Sequence, residues 1–214
     1  MGVNVLMPTI ISVDATTFYN EFKKCVDNRR IKYFECVLVR SLSYYKSHCK
    51  LFLMTDKYDA GVAVENDGRI ISVFKCDDAG LGIGGNLVRE AIKNGGIKLE
   101  CNFMKKLLLG VYYRAGFIPV TTAPLDTNDI YYKLLSDQVI YEKSEKTGDA
   151  TRMMYCFYSP QLIAHPISDN YINLHKVREF FDEDTADKER DKLLKDPSKH
   201  KGYINSIVGY SLYA

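Results

Sequence analysis

Apolar positions recur along this chain with two periods, and the alternation between them predicts the order of its elements. Between residues 14 and 30 the period is helical: Phe18, Phe22, Cys25 and Val26 share one face behind Asp14, a suitable N-cap. Lys23, Lys24, Arg29 and Arg30 fall near the end, where cations suit the helix dipole. Residues 33–39 form a β-branched and aromatic run, whereas 41–49 fit helix or loop equally well. Segments 51–55, 61–65 and 69–75 read as short strands; polar turns join them, Asp67-Gly68 being the tightest, so the three are antiparallel.

A glycine-rich loop, Gly80-Leu81-Gly82-Ile83-Gly84-Gly85, then opens a helix that carries Leu87, Val88, Ala91 and Ile92 on one side and stops at Gly95-Gly96. A strand over 97–101, a helix over 104–115 halted by Gly116, and a strand starting at Phe117 follow. Residues 121–151 loosen into Pro, Asp, Asn and Thr, with a short helix expected around 130–136, and read as an insertion before a last strand at 152–158. Beyond Pro166 the chain is helical in period and charged; eight basic and eight acidic residues between Lys176 and Lys201 cancel, the pattern of a solvated helix face. The apolar stretch 203–213 is expected to fold back and dock. The plan is therefore a core over 1–160 with the insertion at 121–151, and a charged helical extension over 161–214.

Composition narrows the function classes. With 29 basic and 27 acidic residues among 214, the net charge of +2 disfavours binding to nucleic acid or anionic lipid by bulk electrostatics. No apolar run approaches the roughly 20 residues that cross a bilayer, and residues 1–14 lack the order of a signal peptide, so a cytoplasmic protein is expected. The six cysteines and four histidines are scattered without metal-ligand spacing; reduced thiols and no metal are expected. Trp is absent while Tyr reaches 16, seven of them between Tyr112 and Tyr158, where aromatic hydroxyls rather than charge could build a recognition surface.

Two ligands suit the glycine loop. Gly80, Gly82 and Gly85 satisfy Gly-x-Gly-x-x-Gly, and Glu100 lies where a dinucleotide site places an acid for the ribose, so an NAD-dependent oxidoreductase is one reading. Antiparallel strands upstream, a loop that starts well after Lys75, and Asp77 and Asp78 beside the phosphates count against it. The same free amides and dipole would equally take the pyrophosphate of coenzyme A.

Here the residues resemble the GCN5-related N-acetyltransferase (GNAT) family, in the loop Ala79-Gly80-Leu81-Gly82-Ile83-Gly84 and in Tyr112-Tyr113-Arg114-Ala115-Gly116-Phe117 at the end of the next helix. The tail Phe157-Tyr158-Ser159-Pro160 is similar to bacteriophage members. The resemblance implies an α/β (α+β) fold: a mixed, mostly antiparallel central sheet flanked by helices. It implies that the backbone of Ser72, Val73 and Phe74 bonds the pantetheine arm, and that Leu81, Gly82, Ile83, Gly84, Gly85 and Asn86 hold the pyrophosphate. Tyr112 would protonate the departing thiolate, and Glu65, ahead of Asp77 and Glu100, would take the proton of the attacking amine. The implied reaction moves an acetyl group from acetyl-coenzyme A to an amine, of a small molecule or a protein, by direct attack in a ternary complex. Ala79 replaces the family's usual Arg or Gln. A non-catalytic protein of the same fold, binding a phage or host partner through 121–151 and the charged helix, is the alternative of another class.

Overall fold

In a computed structural model the described residues are 9–28, 30–31, 37–55, 57–80, 82–102, 111–125, 152–160 and 173–208. The fold is mixed α/β, and the chain divides into two compact units, Met1–Gly96 and Ile97–Ala214.

The first unit holds β1 (Ile10–Ser12), α1 (Ala15–Asp27), α2 (Leu42–His48), β2 (Cys49–Met54), β3 (Ala60–Glu65), β4 (Arg69–Lys75) and α3 (Ile83–Lys93). Its strands run in the order β1-β2-β3-β4, each antiparallel to its neighbour. Asp14 caps α1 as expected, accepting from the amides of Thr16 and Thr17 at 2.9 and 3.0 Å. Phe18, Phe22 and Cys25 then pack on Leu51, Leu53, Ala63 and Phe74 of the sheet. Phe22 stacks on Phe74 with centroids 4.5 Å apart, and Phe18 meets Tyr45 of α2 edge-on at 5.1 Å. The open choice at 41–49 resolves to helix because the Ser41 hydroxyl accepts from the Tyr44 amide at 3.2 Å. α3 packs on β3 and β4 through Leu87, Val88 and Ala91. Within the β-branched run, residues 37–39 are irregular chain, and 32–36 lie outside the described residues. β1 went unanticipated: three residues carry too short an alternation, and only pairing with β2 defines them.

The second unit holds β5 (Lys98–Asn102), β6 (Phe117–Pro124), β7 (Arg152–Tyr158), β8 (Arg178–Glu179), α4 (Glu183–Lys195) and α5 (Lys201–Val208). Its strand order is β5-β7-β6-β8, antiparallel except for β6 with β8. β6 runs on to Pro124, so regular structure reaches past Thr121; residues 126–151 and most of the expected helix at 104–115 lie outside the described residues. Gly116 does end that segment, in the left-handed region at φ 102°.

The charged stretch keeps a solvated face, with one arginine turned inward. α4 packs on β6 and β7 and buries Ala186, Leu193 and the whole of Arg190. The Arg190 guanidinium reaches Glu100 at 3.2 Å, Asp191 at 3.0 Å and Asp187, and donates to the Leu99 carbonyl at 3.4 Å. Lys98, also buried, pairs with Asp191 at 3.0 Å. A balanced charge run hides such a residue, since its opposing charges lie on β5 as well as on its own helix. α5 buries Ile204, Ile207 and Val208, docking the described part of 203–213 within this unit.

Candidate functional site

The glycine loop begins where β4 ends. The Cys76 amide bonds the Asp59 carbonyl at 2.7 Å, the Asp77 amide bonds the Arg30 carbonyl at 2.7 Å, and the Ala79 amide returns to Cys76 at 3.1 Å. Arg30 grips both carboxylate oxygens of Asp78 at 2.9 Å and holds that carboxyl below its usual range. The negative charge that weighed against an anion here is therefore partly neutralised in place.

Gly82 then adopts φ +78°, with nothing within 4 Å of where a Cβ would stand, and α3 starts at the next residue. No side chain caps this helix, and its first turn holds no acid. Among the described residues the Asn86 amide is the first to bond back, to Gly82 at 3.3 Å, with the amides of Ile83, Gly84 and Gly85 ahead of it. Arg89, one turn on, folds back toward the N-terminus as long helical side chains do. Its guanidinium lies 3.6–3.9 Å from the Cβ position of Gly85 and donates to Asn86 Oδ1 at 2.7 Å. Leu81 lies outside the described residues. Arg89 went unanticipated, although its i+4 spacing from Gly85 was a readable signal.

Beside α3, β4 departs from regular pairing. Gly61 pairs with Phe74 and Ala63 with Ile71, so Val62 stands opposite both Ser72 and Val73. That is a β-bulge, and Ser72 takes φ +50° within it, which is unfavourable for a residue with a Cβ. A chain of hydrogen bonds holds it there: the Arg40 amide donates to the Tyr45 hydroxyl at 3.2 Å, that hydroxyl meets Ser72 Oγ at 2.7 Å, and Ser72 Oγ donates to the Leu38 carbonyl at 3.3 Å. The Phe74 side chain is committed to the core against Phe22. The side chains of Ser72 and Phe74 are thus engaged, and the bulge takes Ser72 and Val73 out of regular pairing with β3 while Phe74 stays paired with Gly61.

Glu65 ends β3 with both oxygens engaged. The Tyr44 hydroxyl donates to Oε1, and Arg69 Nε stands 3.6 Å from Oε2. Burial, then the bond to Glu65, pushes the Tyr44 phenol up to about 12, so it stays protonated and keeps its hydrogen for that carboxylate. Tyr112, in the second unit, is buried; burial first, then the Cys101 and Cys156 thiols, raise its phenol well above the ordinary tyrosine range. Ser72, Val73, Phe74, Gly82, Ile83, Gly84, Gly85, Asn86 and Glu65 all belong to the first unit.

Among the described residues no group of three or more His, Cys, Asp or Glu side chains is placed to hold a metal ion, and no helix is long and apolar enough to cross a membrane. No family profile and no curated protein matches the sequence. Among solved structures the chain is similar to a Bacillus subtilis acetyltransferase in complex with CoA, with a TM-score of 0.43 and 15% identity, over 72% of this chain and 99% of that one.

Proposed function

We propose that this protein is an acyltransferase of the GNAT type, which moves an acetyl group from acetyl-coenzyme A to an amine. The observation that carries the reading is the start of α3. Amides ahead of the helical ladder, open space at Gly82 and the Arg89 guanidinium meet at one helix end, next to a strand bulged at Ser72. Those groups fit a pyrophosphate: the backbone donors and the dipole take its charge, and Arg89 supplies the cation that Ala79 does not. The bulged backbone of β4 then suits the amides of a pantetheine arm laid alongside it.

The attacking amine forms a C–N bond at the thioester carbon while the C–S bond breaks. Glu65 takes the proton that the amine gives up; its contacts with Tyr44 and Arg69 hold this carboxylate in place. The hydrogen-bond donor to the departing sulfur is assigned to Tyr112 on its sequence motif Tyr112-Tyr113-Arg114-Ala115-Gly116-Phe117 alone. A buried phenol is less acidic than a coenzyme A thiol, with thiols near about 8.5, so the phenol stabilises the developing thiolate rather than ionising in full. Tyr112→Phe should lower kcat by about 10²- to 10³-fold with little change in KM for acetyl-coenzyme A.

The first test is binding. Acetyl-coenzyme A and coenzyme A at a hundred times their dissociation constants should each stabilise the protein by about 2.7 kcal/mol in thermal unfolding, whereas NAD should not. A protein unmoved by coenzyme A, or moved only by NAD, would overturn the reading.

A further inference from the structure

We propose that Cys25 and Cys76 are a redox clasp, two thiols that close reversibly to a disulfide and tie the last turn of α1 to the root of the glycine loop. The two sulfurs stand 2.9 Å apart, with the Cys76 thiol donating to Cys25. Carbon atoms in contact keep roughly 3.5–4 Å, and sulfur is larger, so the pair is pressed well inside ordinary packing. Closing to a bond of about 2.05 Å needs the sulfurs to approach by under about 1 Å.

The surroundings select the attacking sulfur. The hydrogen bond from Cys76 first, and the Arg30 charge after it, outweigh burial and hold the Cys25 thiol below its ordinary range, against the opposing charges of Glu21 and Asp59. Both cysteines are buried, at 1% and 0% exposure, so reaction needs a local opening. α1 provides one: it ends at Asp27, two residues beyond Cys25, and helix ends fray at low cost.

A low-molecular-weight disulfide such as oxidised glutathione is the oxidant. The Cys25 thiolate attacks one of its sulfurs and releases the first thiolate; Cys76 gives up its proton and attacks Cys25 Sγ, displacing the second. Two protein thiols become one disulfide, the oxidant becomes two thiols, and the protons pass to the leaving sulfurs. Cys76 directly precedes Asp77 and Asp78, which already bond Arg30, so the new link makes that junction covalent.

The full chain should be incubated with oxidised glutathione, its remaining thiols blocked, and its peptides mapped by mass spectrometry with and without reduction. Two of the six thiols should disappear, with Cys25 linked to Cys76, and dithiothreitol should restore both. The oxidised protein should melt higher by at least about 5 °C. Cys76→Ala should abolish that rise and leave Cys25 as the glutathione adduct. Six unreacted thiols, or a link between Cys101 and Cys156 instead, would overturn the proposal. Both results come from the parent chain, whether or not the variant folds, and neither depends on coenzyme A binding.

Discussion

Helices α3 and α4 begin in opposite ways. α4 is closed from within: Asp182 accepts from the Thr185 amide at 2.7 Å and its hydroxyl at 2.8 Å, and Glu183 and Asp184 occupy the first turn. α3 starts from a left-handed glycine, with no side-chain cap and no acid. A helix start that serves only the fold satisfies its orphan amides and dipole with its own side chains, as Asp14 also does for α1. The start of α3 leaves both available to an anion from outside. The arginines differ in the same sense. Arg190 of α4 is buried among three carboxylates, whereas Arg89 of α3 is exposed and turned onto the glycine-rich end of its helix.

The sharpest way to break this contrast is to remove each arginine in turn. Arg190→Ala leaves Glu100, Asp187 and Asp191 facing Lys98 around a cavity, and urea unfolding should show a loss on the order of 3–5 kcal/mol. Arg89→Ala should leave stability within about 0.5 kcal/mol. Equal losses for the two would mean that the arginines do the same work.

Gly84→Glu comes next in size. It places in the first turn of α3 the acid that α4 already has, so the ligand-free protein should melt no lower, and a better helix former supports that direction. The carboxylate would stand at the proposed pyrophosphate site, and the stabilisation of about 2.7 kcal/mol by saturating acetyl-coenzyme A should vanish. A thermal shift undiminished by this change would remove the loop from the binding site. Arg89→Ala has the smaller effect on the same measurement, weakening coenzyme A by about tenfold, or about 1.4 kcal/mol, because one charge-assisted contact is lost while the amides remain.

The two regions also differ in how much the sequence disclosed. α1, β2 to β4 and α3 were legible because their cores are built on one period at a time and their ends carry Asp14, Gly68 and Gly95. The glycine loop at the start of α3 was legible because only glycine supplies its conformation cheaply at Gly82. The bulge in β4 was not: Ser72 carries no mark of a positive φ, and what holds it is the Tyr45 hydroxyl, 27 residues away. Arg190 was hidden for a related reason. Its helix shows equal charge of both signs, and which arginine turns inward is decided by Glu100 and the Leu99 carbonyl on β5. Residues that act through local backbone geometry show in sequence, whereas residues positioned by a distant polar partner do not.

Acid offers the finest test, because of the starts of α3 and α4 only that of α4 depends on a carboxylate. The Thr185 amide first, then its hydroxyl, hold the Asp182 carboxyl below its ordinary range. For Asp191, burial works upward, but the bond from Lys98 and the charge of Arg190 outweigh it and leave the net shift downward. A depressed folded pKa contributes stability that is present above the unfolded value, about 3.9 for Asp, and is lost as pH falls through the folded value. α4 should therefore loosen below about pH 4, while the start of α3, with no acid in its cap or first turn, has no such contribution to lose. Asp182→Asn keeps a capping oxygen without the charge, so near neutrality the parent should melt slightly higher than the variant, by the charge–dipole part alone. That gap should close as the parent's Asp182 becomes protonated, and melting curves at stepwise lower pH would measure it. A gap unchanged down to the lowest pH at which both proteins fold would mean that the α4 start is held by neutral hydrogen bonding, and that its contrast with α3 is geometric rather than electrostatic.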